Sequence, residues 1–323
     1  MSKSPESSMI KKKSMFTWII CFAILPMMFV AGFCIIQLDN FLNYEELEKL
    51  KKSSTQVASI LSDYEKDLKL KSLFWQNNKN LISHLNSKNF EDLKSEIFNS
   101  FKESDLNSLA FFNKSGEMLL NVFRNEQGEI KYINPQNVEM SESVVFNLKS
   151  QETWSTTDFT YPNAVVLILN SRILDEQKEI IGYIEQTYSL NQQVVNNIGK
   201  RINTEIGFLN SEGLVKIASN NDLKFYEKSF FQEKIKPHQD TILKLKKRGE
   251  HELFISSEFL WQKDSLRFIS GGSIHSAYNY LRVIKYNLLY LILGLSMVVL
   301  ILAYFVNKYI VPSQEIIKKS DKL

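Results

Sequence analysis

The chain has little cysteine and little histidine: its 323 residues hold two Cys and four His. Both cysteines, Cys21 and Cys34, lie in one apolar stretch, so the body between residues 38 and 285 folds without disulfides. His84, His238, His251 and His275 are scattered, and no His/Cys cluster has metal-ligand spacing. An excess of one charge is also missing. Lys and Arg number 39 against 36 Asp and Glu, a formal net charge of +3, and the two signs alternate. That pattern gives no footing for nucleic acid. The single Gly-Gly pair, Gly271-Gly272, lacks the spacing of a phosphate cradle, and no G-x-S-x-G nucleophile turn occurs. With no histidine-kinase phosphoacceptor and no cyclase motif either, the chain reads as non-enzymatic and without a cofactor.

Long apolar runs are present, and they set the layout. Residues 15–36 (MFTWIICFAILPMMFVAGFCII) and 288–306 (LLYLILGLSMVVLILAYFV) carry no charge, and each suffices for the roughly 20 apolar residues of a membrane span. The first run is too long for the apolar core of a signal peptide, and QLDNFLNYEE follows it without a small-x-small cleavage site. Lys3, Lys11, Lys12 and Lys13 precede the first span, and Lys308, Lys318, Lys319 and Lys322 follow the second. The positive-inside rule therefore puts both termini in the cytoplasm and the central body outside. Lys49, Lys51, Lys52, Arg282 and Lys285 weigh against it, so the balance is not one-sided.

Within the body, residues 38–75 read as a long helix. Leu47, Leu50, Ser54, Val57, Leu61, Tyr64 and Leu68 recur at 3-4 spacing, with Ser54 the weak position. Such a stripe serves either as the chain's own core or as a parallel contact with a second copy. An internal echo follows. NSLAFFNKSGEMLLN (107–121) and TEIGFLNSEGLVKIA (204–218) place Asn113 and Gly116 against Asn210 and Gly213, 97 residues apart. Asn and Gly favour the left-handed conformations of tight turns, so each copy predicts a β-hairpin. Each copy ends in a strand pair: 164–174 with 180–190 after the turn DEQKE, and 251–260 with 265–274. Residues 135–150 and 222–248 are expected to be mixed helix and loop, the second helical around Ile242, Leu243 and Leu245. Residues 275–287, without Gly or Pro, read as a helix entering the second span. The fold class is α+β: a long N-terminal helix carrying two antiparallel-sheet units, flanked by two transmembrane helices.

The segments FFNKSGEMLL, WSTTDFTYPNAVVLILNSRI, IIGYIEQTYSLNQQV, GFLNSEGLVKIAS and FISGGSIHSAYNYL, in that order, resemble the double Cache sensor domain of bacterial receptors. The resemblance implies two PAS-like units: a membrane-distal one over 76–195 and a membrane-proximal one over 196–284, with the last strand feeding the second span. It also implies a two-pass protein of the bacterial inner membrane: a cytoplasmic segment 1–14, spans 15–37 and 286–306, and a periplasmic domain 38–285. Residues 307–323, with Pro312, Ile316 and Leu323, resemble the opening of a HAMP helix, although Ser313 stands where an aliphatic residue is usual. The chain is then either part of a longer receptor or a sensor whose output lies in a partner.

In that family the distal unit holds the ligand between sheet and covering loops. The resemblance implies Trp154, Asp158, Tyr161, Arg172, Tyr183 and Thr187 as binding residues, with loop 151–161 as the cover. Trp154 and Tyr183 suit plain core or edge positions better than a site. By strand parity Tyr183, Glu185 and Thr187 share one face. Amino-acid-binding members carry Arg-x-Trp-Tyr and an Asp late in the closing strand. Neither occurs, and Thr187 stands in place of the Asp, which argues against a ligand of that type. The expected partners are the membrane, a second copy of the chain as homodimer, and a small molecule or periplasmic protein as signal. A different class, the oligomeric polysaccharide chain-length regulators, shares the length and the two terminal spans. It usually carries Pro before and within the second span, whereas residues 275–311 contain none.

Overall fold

The structure is a computed structural model that describes residues 18, 20–87, 90–125, 127–133, 138–161, 163–220, 223, 240–247, 250–261, 264–306 and 308. Its contacts divide the chain into two compact units: Met1–Glu48, Gly249–His251 and Ser273–Leu323 form one, Lys49–Arg248 and Glu252–Gly272 the other.

The first unit carries the apolar runs. A π-helical turn, Ile20–Ile24, leads into helix α1, Leu25–Gln76. Pro26 has no N–H to offer the preceding turn, and the widened turn stands directly before it. Helix α6, the last described helix, spans His275–Phe305. Both helices are long and apolar enough to cross a membrane, and only 6% of each apolar window is buried. That exposure suits lipid-facing helices and not the core helices of a soluble protein. Lys285 Nζ donates to both carboxylate oxygens of Asp39, at 2.7 and 2.5 Å, and ties the two helices together. Of the residues read as the start of a HAMP-like helix, 307–323, all but Lys308 lie outside the described residues, as does the basic N-terminus.

The second unit begins with the body of α1. Asn77 turns the chain, and the Asn78 side chain accepts from Asn80 N and Leu81 N at 3.0 and 3.2 Å, which caps helix α2, Lys79–Ser87. Helix α3, Phe90–Lys102, follows. Then come strands β1 (Ser108–Asn113), β2 (Met118–Arg124) and β3 (Ile130–Ile133), and helix α4 (Glu142–Ser150). Strands β4 (Thr153–Asp158), β5 (Val165–Leu174) and β6 (Ile180–Leu190) complete a six-stranded sheet ordered β3-β2-β1-β6-β5-β4. Helix α5, Gln192–Ile202, starts where Asn191 accepts from Val194 N and ends at Asn203 in the left-handed region. Strands β7 (Glu205–Leu209), β8 (Val215–Ala218), β9 (Thr241–Lys247), β10 (Glu250–Trp261) and β11 (Asp264–Ser273) form a second sheet ordered β8-β7-β11-β10-β9.

Strip β3 from the first sheet and the two orders coincide. In each, the hairpin's first strand pairs with the last strand of the unit, so the internal echo is a repeat of topology as well as of sequence. The hairpin turns are built alike. Asn113 Oδ1 accepts from Ser115 N and Glu117 N at 2.9 and 3.0 Å, and Asn210 Oδ1 accepts from Glu212 N and Leu214 N at 3.1 and 2.8 Å. Gly116 and Gly213 close them at φ +93° and +76°, where a side chain would be strained. The turn recurs at Asn125–Gly128 and, with Asp175 accepting and Lys178 at φ 64°, in DEQKE.

Two expectations need correction. Residues 151–161 do not form a covering loop: 153–158 are β4. Residues 241–247, read as helix, are β9. The stripe on α1 is the chain's own core. Val57 and Leu61 are fully buried, and Leu68 nearly so, in a cluster with Phe111, Leu167 and Ile184 of the distal sheet. Ser54 is no defect there. Its hydroxyl meets Ser257 Oγ at 2.5 Å, and Ser53 meets Ser270 Oγ at 3.2 Å, so the helix crosses the second sheet on paired hydroxyls. Leu70, Leu73 and Phe74 of α1 remain exposed.

Candidate ligand-binding site

The two faces of the distal sheet differ in character. One lies on α1, where Gln186 is fully buried. Its amide, oriented to satisfy both ends, donates to Leu68 O at 2.9 Å and accepts from Ser72 N at 3.2 Å. The other face carries Ala110, Phe112 and Tyr183, which pack with Met140 and with Leu148 of α4. Val144, Val145 and Trp154 flank this second cluster.

Directly opposed residues in a sheet share a face. Across all six strands one row reads Ile133, Asn121, Ala110, Glu185, Asn170, Trp154. The row toward α4 holds Met118, Phe112, Tyr183 and Arg172. The row on the other side holds Phe123, Ser108, Thr187, Ile168 and Thr156. The central row is polar at depth. Asn170 is 1% exposed, and its Oδ1 has no hydrogen-bond partner among the described residues. The same holds for the buried Asn121 Oδ1 and, one row up, for Arg172 Nε. Burial pushes the Glu185 carboxyl above its ordinary value, and the Asp158 carboxylate adds to the rise. Three unmatched polar atoms and a carboxyl on one sheet face each cost free energy until something meets them.

Five of the six expected site residues share this face. Trp154 ends the central row. Asp158, two steps beyond Thr156 on β4, accepts from Thr160 N at 2.8 Å and Thr160 Oγ1 at 3.0 Å. Arg172 Nη1 donates to Lys149 O at 3.3 Å, the C-terminal turn of α4. Tyr183 is 1% exposed and belongs to the packing under α4, and burial pushes its phenol up. Thr187 Oγ1 meets Ser108 Oγ at 2.7 Å, so its hydroxyl is already engaged. Tyr161 does not join them: it lies beyond β4 and is 54% exposed. The sequence reading missed Asn121, Asn170 and Glu185. Parity had already put Glu185 on the right face, and an Asn inside the apolar run VVLILNSRIL was the legible signal for Asn170. A separate cavity of about 950 Å³ is lined by Gln76, Lys79, Glu152, Arg172, Asp175 and Lys178 among others; of these, Arg172 and Glu152, whose carbonyl accepts from Arg172 N, neighbour the polar row.

The β4 edge is also the seat of the second sheet. Thr157 N donates to Asp264 Oδ2 at 2.9 Å, and Ser155 Oγ donates to Trp261 O at 3.2 Å. Trp261 is fully buried, and its Nε1 donates to Ile168 O of β5 at 3.4 Å. The strand that carries Trp154 and Asp158 on one face thus holds the β10–β11 hairpin on its edge, and β11 continues into α6.

The body shares its fold with solved sensory domains. A domain of a sensory box/GGDEF family protein from Vibrio parahaemolyticus superposes with a TM-score of 0.54 at 12% identity, over 71% of this chain and 97% of that one. The extracellular domain of the histidine kinase vpHK1S-Z8 gives 0.52 at 14% identity, over 73% and 95%. The ligand-binding domain of the Campylobacter jejuni chemoreceptor Tlp3, in complex with L-valine, gives 0.53 at 12% identity, over 74% and 96%. No family model matches the chain.

Proposed function

We propose that the chain is the sensor module of a two-pass receptor of the bacterial inner membrane. The body faces the periplasm and takes a small molecule on the α4-covered face of the distal sheet, and binding shifts α6 against the membrane. A cytoplasmic output domain of kinase, cyclase or chemotaxis type, beyond or beside the HAMP-like residues 307–323, reads the shift, and the receptor works as a homodimer. The observation that carries this reading is the buried polar row with Asn170 and Asn121 acceptors unmatched. L-valine held by a domain of the same fold supports a small molecule over a protein as the signal. The docking of β10–β11 on β4 supports a route from the site to α6. A ligand shifts two states only by its differential affinity for them, and a few kcal/mol is enough.

The test is a melting series on the full chain in lipid nanodiscs, against a panel of amines, amino acids, organic acids and nucleosides. A ligand that binds only the folded state adds about 2.7 kcal/mol at a hundredfold excess over Kd. Trp154→Ala is expected to abolish the ligand-induced rise while the ligand-free midpoint stays within a few degrees. A ligand-free loss of about 3–5 kcal/mol, as for truncation of a core aromatic, assigns Trp154 to packing and removes it from the site.

A further inference from the structure

Among the described residues, the buried atoms of the central row left without a hydrogen-bond partner are both acceptors. Asn121 Oδ1 and Asn170 Oδ1 are buried and have no donor among the described residues. Glu185 lies between them in register, separated from Asn121 by Ala110, the smallest side chain of the row. No Lys or Arg stands in the row. A second carboxylate, Asp158, is near enough to act on Glu185. The nearest cationic side chain on that face, Arg172, is one row away and turns one of its N–H groups to Lys149 O. Trp154 closes the row at the β4 edge with an aromatic surface, which attracts cations as well as apolar groups.

We infer that this site takes a cationic ligand rich in N–H donors, an amine or a guanidine, with the charge set against Glu185 and the donors met by Asn170 and Asn121. The inference rests on the small-molecule reading above and names the class of molecule. A buried carboxylate costs little only when a cation and hydrogen bonds meet it, so the ligand supplies what the fold withholds. A neutral ligand with hydroxyl donors could meet the amide oxygens but leaves Glu185 and Asp158 without a counter-charge, and an anion adds a third like charge.

The experiment measures affinities of the full chain in nanodiscs for 1,4-diaminobutane, 2-phenylethylamine and 4-aminobutylguanidine. The uncharged counterparts are 1,4-butanediol and 2-phenylethanol, and succinate and L-valine complete the set. At least one cation is expected to bind ten times more tightly than its alcohol. Glu185→Gln, which keeps the shape and removes the charge, is expected to weaken that cation at least tenfold without lowering the ligand-free melting midpoint. Asn170→Ser serves as the second variant, with a loss of threefold or more expected. The proposal is overturned if the alcohols or succinate bind as tightly as the cations, or if Glu185→Gln leaves the cation affinity within twofold. In those cases the small-molecule reading stands without it. If no probe binds and the wider panel gives no melting shift, both fall together.

Discussion

Val57→Asp is expected to abolish the folded body rather than to weaken a dimer. Val57 is fully buried in α1, in a cluster that includes Leu61 of the same helix and Leu167 and Ile184 of the distal sheet. A carboxylate there loses its water, gains no cation and displaces a packed side chain, a cost above about 4 kcal/mol. Near-ultraviolet circular dichroism and protease resistance of the full chain read the result. A variant that keeps native dichroism but shows a weaker subunit equilibrium would return the stripe to a contact between copies.

Trp261→Ala has the second largest expected effect. Trp261 is fully buried, and its indole N–H reaches Ile168 O while its carbonyl accepts Ser155 Oγ. Truncation removes a large core aromatic, about 3–5 kcal/mol. It also removes the anchor that seats the β10–β11 hairpin on β4, so the second sheet is expected to lose exchange protection before the first. Trp261→Phe keeps most of the volume and loses only the Nε1 bond, so it should recover most of the stability. Hydrogen exchange followed residue by residue checks both. Uniform exchange across the two sheets in Trp261→Ala, or a loss under about 1 kcal/mol, would deny Trp261 that role.

The elements legible in the sequence are those whose side chains face two unlike environments. The stripe on α1 and the hairpin turns at Asn113–Gly116 and Asn210–Gly213 are local: one follows from helical spacing, the other from residues that tolerate left-handed backbone. The misses fall on the same strand of each repeat. β4 (TWSTTD) and β9 (TILKLKK) are both edge strands of their sheets. An edge strand carries hydroxyls or Lys to discourage further pairing, and that composition hides the period-two alternation of a buried strand. Once β4 is a strand, Trp154 and Asp158 become part of the sheet, and the cover passes to α4. Parity gave the shared face of Tyr183, Glu185 and Thr187 but not which neighbours cross it. Asn170 stood out as an Asn within an apolar run, but its place opposite Glu185, and that of Asn121 opposite Ala110, come from register, which depends on contacts far apart in the chain.

The central claim is a sensor body outside the membrane between two spans, with both termini inside. It is tested most directly by treating intact cells with a membrane-impermeant amine reagent and mapping the modified lysines by peptide mass spectrometry. Lys66, whose side chain is 72% exposed, and Lys131, at 54%, are expected to react. Lys11, Lys12, Lys13, Lys318, Lys319 and Lys322 are expected to react only after the membrane is opened. Modification of the terminal lysines in intact cells, with Lys66 and Lys131 silent, would contradict the account.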